Sequence, residues 1–335
     1  MFSFNFLPSD KDTDGGSMKE ESQQQSNDSH KAVPTSEDAE FHWLQPTDVK
    51  ICLEDMTKCF AHLERACQMV ILSKQQEDDT SNNNSMSYLR QIHEDMVSQQ
   101  SALHYNRTDL VPGIYEGGLK VWECSMDLCR YLYDHDVTMQ GHVLELGCGH
   151  GLPSCWVFKM ALSRQLEDCW VTLSDYNEFV LTDVTLKNVF LNAKDACSIS
   201  TEPTLTKWLS EHAALGAGDW NKMSSLLLQP TPQSPDQPQA APKDGLFDFI
   251  LAAETTYSET AATETAMLIA RHLRPGKGVA YVATKRYYFG VRGGTSCLVD
   301  ALNRQGSHLD VEVLKEYNNG VGNIRELLLV RSHSP

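Results

Sequence analysis

No stretch of this chain approaches the ~20 consecutive apolar residues that a membrane-spanning helix needs, and its mean hydropathy is negative. The opening Met-Phe-Ser-Phe-Asn-Phe has neither the basic start nor the apolar core of a secretory signal. Cytosol and nucleus, nucleolus included, are therefore the expected compartments. Ten cysteines are present without one C-x-x-C pair or a histidine at zinc-ligand spacing. No metal site is expected from them, and they read as small buried hydrophobes in a reducing compartment. Positive charge is scarce, with 28 Lys and Arg against 45 Asp and Glu and a net charge of −17. That balance opposes adhesion to bare nucleic acid, where phosphate neutralisation dominates affinity, and makes a basic protein the better macromolecular partner.

What is present falls into three sections. Residues 1–40 read as a disordered acidic arm: positions 7–40 carry nine acids against three lysines, with too little apolar surface to order themselves. Residues 41–108 form an N-terminal extension. Leu53, Met56, Phe60, Leu63 and Cys67 are spaced for one amphipathic helix, and a second short helix is expected over residues 86–97. Residues 109–335 alternate apolar strands with helical stripes, which predicts a parallel sheet with helices on both faces. Tyr317-Asn318-Asn319-Gly320 predicts an antiparallel hairpin at its C-terminal end. Residues 201–217 show no clear strand. The Pro/Gln-rich segment 228–245 reads as a solvated insertion.

The most informative stretch is Val143-Leu-Glu-Leu-Gly-Cys-Gly-His-Gly151. An apolar strand holding Glu145 opens onto Gly147, Gly149 and Gly151, which let the backbone turn tightly and approach a ligand. The apolar residues after it have helical spacing, so the loop sits at a helix N-terminus. Dinucleotide folds prefer G-x-G-x-x-G. The G-x-G-x-G here resembles instead the S-adenosylmethionine (SAM) loop of seven-strand methyltransferases. Asp175 ends the next apolar run, where a carboxylate is placed to accept the ribose hydroxyls of an adenosyl group; a turn aspartate in Ser-Asp-Tyr-Asn is the bland alternative.

Three further pieces complete the pattern. Gly113 to Ser125 contains a Gly-Gly bend, with Trp122 and Glu123 placed to close over the methionine end of such a ligand; a core tryptophan is the alternative. Gly218-Asp219-Trp220 offers an acid for an exocyclic amine and an indole for stacking, or else a surface turn. Ala253-Glu254-Thr255-Thr256-Tyr257 follows an apolar run, and the carboxyl end of a central parallel strand is where such sheets bind ligands. Neither the Asn/Asp-Pro-Pro-aromatic motif of adenine or glutamine methylation nor the Pro-Cys nucleophile of cytosine C5 enzymes follows this strand. The target therefore reads as a different nitrogen, such as one on a protein side chain.

Together with Lys285–Gly294, these segments resemble the protein-histidine N-methyltransferase family, eukaryotic enzymes that methylate a histidine of the third large-subunit ribosomal protein. The resemblance covers residues 109–331. It implies a Rossmann-like seven-stranded, mostly parallel α/β sheet with an antiparallel C-terminal hairpin, SAM as methyl donor, transfer to the tele nitrogen, and a basic large-subunit ribosomal protein as client. Position by position it assigns Val121, Trp122, Glu123, Cys124, Ser125, Gly147, Ser174, Asp175, Tyr176, Gly218, Asp219, Trp220 and Ala253 to the SAM pocket. Glu254 and Tyr257 match its acid-x-x-aromatic signature and are implied to face the substrate. Ala253 stands where relatives often carry a hydroxyl. Protein-lysine methylation, a non-catalytic SAM-binding assembly factor and, more distantly, an NAD-dependent oxidoreductase remain open on the residues alone.

Overall fold

The computed structural model describes residues 40–54 except 46 and 51, the segments 67–71 and 85–89, and residues 115–196, 202–229, 238–306 and 308–333 except 319, 321 and 322. The acidic arm, apart from Glu40, lies outside the described residues, as does most of the extension and the 230–237 part of the insertion.

In chain order the elements are β1 (His42–Trp43), β2 (Cys67–Ile71), β3 (Ser85–Leu89), α1 (Glu123–Asp134), β4 (Gly141–Leu146), α2 (Leu152–Ser163) and β5 (Cys169–Asp175). A π-helical turn, Leu181–Thr185, then runs into α3 (Leu186–Ala196), followed by α4 (Glu202–His212), β6 (Ala213–Ala217) and α5 (Trp220–Leu227). The last part holds β7 (Phe249–Ala253), α6 (Glu259–His272), β8 (Val279–Lys285), α7 (Thr295–Gln305), β9 (Leu309–Tyr317) and β10 (Arg325–Ser332).

Among the described residues, eight strands form one sheet in the order β1-β6-β5-β4-β7-β8-β10-β9. The five central strands pair in parallel. β10 inserts antiparallel between β8 and β9, closing the sheet with the expected hairpin. The alternation of side chains along each strand feeds two cores. Val143, Val171, Leu173 and Leu215 pack under α1, α2, α3 and α4, while Leu144, Leu146, Ile250 and Val282 pack under α5, α6 and α7. Both faces are covered, which is why the parallel strands read as near-continuous apolar runs.

Four expectations for the periphery are corrected. In the 228–245 segment, expected to be solvated, Pro238, Ala240, Ala241 and Pro242 are buried, and Ala240 and Ala241 pack in the core under α5 and α6. Cys67 lies in β2 and Met86 in β3, an antiparallel pair, so neither belongs to the helix expected there. Residues 202–217 form α4 and β6 instead of an irregular stretch. The sheet gains an eighth strand because β1 pairs antiparallel with β6. Two glycines make that pairing feasible: a Cβ on Gly216 would fall 2.3 Å from Phe41 Cζ, and one on Gly218 would fall 2.0 Å from the Glu40 carbonyl oxygen.

Chain order reverses at β4, since β5 and β6 build outward on one side and β7 and β8 on the other. Open α/β sheets bind ligands at the carboxyl ends of the strands beside such a switch point. Register puts Leu146 between Ser174 of β5 and Ala252 of β7, so the loops starting at Gly147, Tyr176 and Glu254 emerge side by side.

Candidate active site

The glycine loop has the conformation its residues suggest: Gly147, Gly149 and Gly151 have φ of 57°, 49° and 64°. Gly151 caps α2, and Pro153 falls in the first turn, where its missing N–H is not needed. Close packing is part of the design. A Cβ on Gly151 would sit 2.8 Å from Thr185 Cγ2, and one on Gly147 would sit 3.2 Å from Thr255 Cγ2 and 3.4 Å from Trp220 Cζ2. The Thr185 hydroxyl, presented by the π turn, donates to the Gly149 carbonyl at 2.6 Å.

Glu145 lies beneath the loop. It is buried, its Oε2 accepts the Ser154 N–H of α2 at 2.9 Å, and burial pushes its pKa up to about 8. It supports the start of the helix, where the backbone donors need partners. Asp175 is also buried, 4% exposed. Its Oδ2 accepts the Gly149 N–H at 2.9 Å and its Oδ1 accepts the Asn177 N–H at 3.1 Å. Desolvation raises its pKa to about 6 against the lowering effect of those N–H groups. The structure thus gives this carboxylate a bracing task within the loop in addition to any ribose contact.

A strap, Tyr115 to Lys120, crosses above. The Gly118 carbonyl lies 3.2 Å from His150 Nδ1, and a Cβ on Gly118 would fall 3.3 Å from Asp175 Oδ2. Trp122 donates its indole N–H to the Gly117 carbonyl at 3.0 Å, which locks the bend onto the start of α1. Tyr257 donates its hydroxyl to Glu116 and so ties the far end of the site to the strap.

The other expected residues separate into those the fold gathers and those it uses elsewhere. Trp220 stands over Gly147 as a stacking face, Ala253 ends β7, and Tyr176 is half-buried after Asp175. Asp219 caps α5, its Oδ1 accepting from the N–H groups of Asn221 and Lys222 at 2.9 and 3.0 Å. Gly218 carries φ of 121° and admits β1. Ser174 donates to the Glu145 carbonyl at 3.2 Å, and Ser125 donates to the Trp122 carbonyl at 2.7 Å. Val121 packs on the core beside α1. Glu123 is exposed and pairs with Arg325 at 3.4 Å. Cys124 is fully buried next to Glu254, and burial, more than that carboxylate, raises its thiol pKa.

Glu254 is the exceptional residue. It is 8% exposed, adopts a left-handed φ of 62° without being glycine, and its Oε1 has no hydrogen-bond partner among the described residues. Buried polar atoms are almost always satisfied and left-handed backbone is costly for a side-chain-bearing residue. The combination makes this oxygen a candidate ligand contact. Sequence reasoning missed the two side chains that hold its other oxygen, Tyr288 and Lys285, although both lie in a segment that carried the family resemblance.

Residues 112–215 match a family model described as lysine methyltransferase. The histidine protein methyltransferase 1 homologue of Dictyostelium discoideum is 35% identical over 227 residues, covering 67% of this chain and 60% of that protein. The chain is a sequence relative of the histidine protein methyltransferases. The rat homologue is 32% identical, covering 64% of this chain and 56% of its own length, and the Schizosaccharomyces pombe protein is 33% identical, covering 55% and 56%. The chain therefore spans 56–60% of the length of these curated relatives. Such relatives imply S-adenosyl-L-methionine as methyl donor, and the residues present fit it. The left-handed backbone at Gly147 lies directly against Thr255 and Trp220, where a Cβ would be crowded, and Asp175 and Glu254 supply carboxylates for a cationic ligand.

Proposed function

We propose that this protein is a SAM-dependent protein-histidine N-methyltransferase that acts on the tele nitrogen of a histidine in a basic large-subunit ribosomal protein, in the cytosol and nucleus. The observation that carries the reading is the unpartnered Oε1 of Glu254 at the end of β7. The identity to histidine protein methyltransferases supports it, and the net charge of −17 favours a basic client.

SAM, when bound, supplies an electrophilic methyl group on a sulfonium. Gly147, Gly149 and Trp220 would hold its adenosyl part. The chain's own residues then have a limited task, because an imidazole with a pKa near ~6.5 is largely neutral and nucleophilic at cytosolic pH. No strong base is needed. Glu254 Oε1 accepts the N–H of the ring nitrogen that does not react, which orients the ring and stabilises the imidazolium charge that develops as the other nitrogen attacks. Trp122 and Tyr257, tied to the strap, exclude water. A lysine client would present the opposite problem, since at pKa ~10.4 it must first lose a proton.

The decisive experiment is methylation of the purified third large-subunit ribosomal protein with SAM, mapped by mass spectrometry. The expected result is one methylhistidine. Glu254→Gln should slow its formation about tenfold or more while SAM affinity stays nearly intact, because the contact strengthens only in the transition state. Normal turnover by that variant, or a preference for lysine at the target position, would transfer the assignment to lysine methylation.

A further inference from the structure

Glu254 is held chiefly through one of its two oxygens. Tyr288 donates its hydroxyl to Oε2 at 2.5 Å, and the Lys285 ammonium lies 3.5 Å from the same oxygen. Lys285 is itself confined, 5.4 Å from the ring centres of both Trp122 and Tyr288 and with its side chain 16% exposed. One carboxylate oxygen therefore carries a hydroxyl and a cation, and the other is buried without a hydrogen-bond partner among the described residues.

This one-sided loading depends on the segment after β8. Tyr287 and Phe289 are 58% and 77% exposed, while Tyr288 between them turns inward to the carboxylate. The inward turn is fixed by backbone contacts. Gly294 donates to the Thr256 carbonyl at 2.9 Å, and a Cβ on Gly293 would fall 2.1 Å from that same oxygen, so the segment closes directly on the chain beyond Glu254. The Thr256 and Thr284 hydroxyls, 2.5 Å apart, join the two strand ends beneath it.

We propose that Tyr288 and Lys285 are positioning residues: by occupying Oε2 they fix the rotamer of Glu254 and reserve Oε1 for the ring N–H of the client imidazole. This rests on the histidine reading of the site. The Cys124 thiol also adjoins the carboxylate, but as a weak donor it adds little to the fixing. Lys285 additionally balances the buried negative charge, which without a partner is costly in a desolvated site. Neither residue is proposed to touch the client.

The test measures kcat, the client KM and SAM affinity for Tyr288→Phe, Lys285→Met and Lys285→Arg in the full chain, alone and combined with Glu254→Gln, using the third large-subunit ribosomal protein as client. Tyr288→Phe and Lys285→Met are expected to lower kcat about tenfold or more with KM and SAM affinity nearly unchanged, as loss of a hydrogen bond or ion pair to a charged group would. Lys285→Arg should recover much of the rate. In the Glu254→Gln background the additional loss should disappear, because the carboxylate they position is gone. Unchanged kcat in both single variants overturns the proposal, as does a loss that multiplies fully with that of Glu254→Gln. Full turnover by Glu254→Gln itself would instead overturn the histidine reading, so the two failures are distinguishable. Should Tyr288→Phe not fold, the two Lys285 variants decide the matter by the same comparison.

Discussion

Asp175 accepts the backbone N–H of Gly149 at 2.9 Å, so the end of β5 braces the loop that leaves β4. Its second oxygen is bonded to the Asn177 N–H, and an amide in its place would turn an NH2 toward one of these donors. Asp175→Asn is expected to weaken SAM binding by roughly 1.5–3 kcal/mol, the usual cost of a lost hydrogen bond to a charged group. Isothermal calorimetry on the folded variant checks this. Undiminished affinity would mean that the loop holds its shape without the brace.

Glu145 is an acid whose folded-state pKa is raised to about 8 by burial. It is therefore neutral in the native protein near pH 7, while the unfolded chain ionises it in the ordinary carboxylate range. Its stabilising contribution is complete below that ordinary range and is lost as pH rises toward about 8. Glu145→Gln keeps an acceptor for the Ser154 N–H and removes the titration. The variant should melt at nearly the parent temperature at pH 4 and several degrees higher at pH 8. Parallel melting curves across that range would show that Glu145 does not titrate in this way.

Gly147→Arg should abolish SAM binding with the fold retained. The residue has a left-handed φ of 57°, and the space beside its Cα is bounded by Thr255 and Trp220. A long side chain would occupy that space and also strain the turn. Calorimetry with unaltered affinity in a variant of normal melting behaviour would move the cofactor site away from this loop.

Gly218→Ala addresses an expected cofactor residue whose surroundings point elsewhere. A Cβ there meets the Glu40 carbonyl at 2.0 Å and the backbone φ is 121°. Forcing β1 away from β6 should cost on the order of 1–3 kcal/mol of stability. Thermal melting paired with calorimetry separates the possibilities, since a loss of SAM affinity at unchanged stability would return Gly218 to the pocket.

The glycine loop, the strand before it and the helix after it are legible because their signals are local: an apolar run, glycines where the backbone must be left-handed, then apolar residues at helical spacing. Glu254 and Tyr257 follow from the rule that places ligands at strand ends. β6 escapes notice because Ala213-Ala-Leu-Gly-Ala lacks the β-branched and aromatic residues that mark strands. Its small side chains become intelligible only once β1 is packed beside it. Asp219 reads as a ligand although Asp-Trp-Asn-Lys is also an N-cap sequence, and the cap is what the backbone N–H groups require. Tyr288 and Lys285 carry no readable role, since what defines it is an oxygen of Glu254 more than thirty positions earlier in the chain.

The π turn at Leu181–Thr185 sets a limit on how this sequence can change in length. One extra residue is accommodated there, and the Thr185 hydroxyl at its end bonds to the Gly149 carbonyl. Deleting any residue of the turn would relax it to regular α-helix and rotate what lies upstream by about 100° relative to α3. The result would be a more regular helix whose upstream residues, Val180 against Gly118 among them, no longer meet the strap. Insertions and deletions should thus be intolerable here, however conservative they look as local structure.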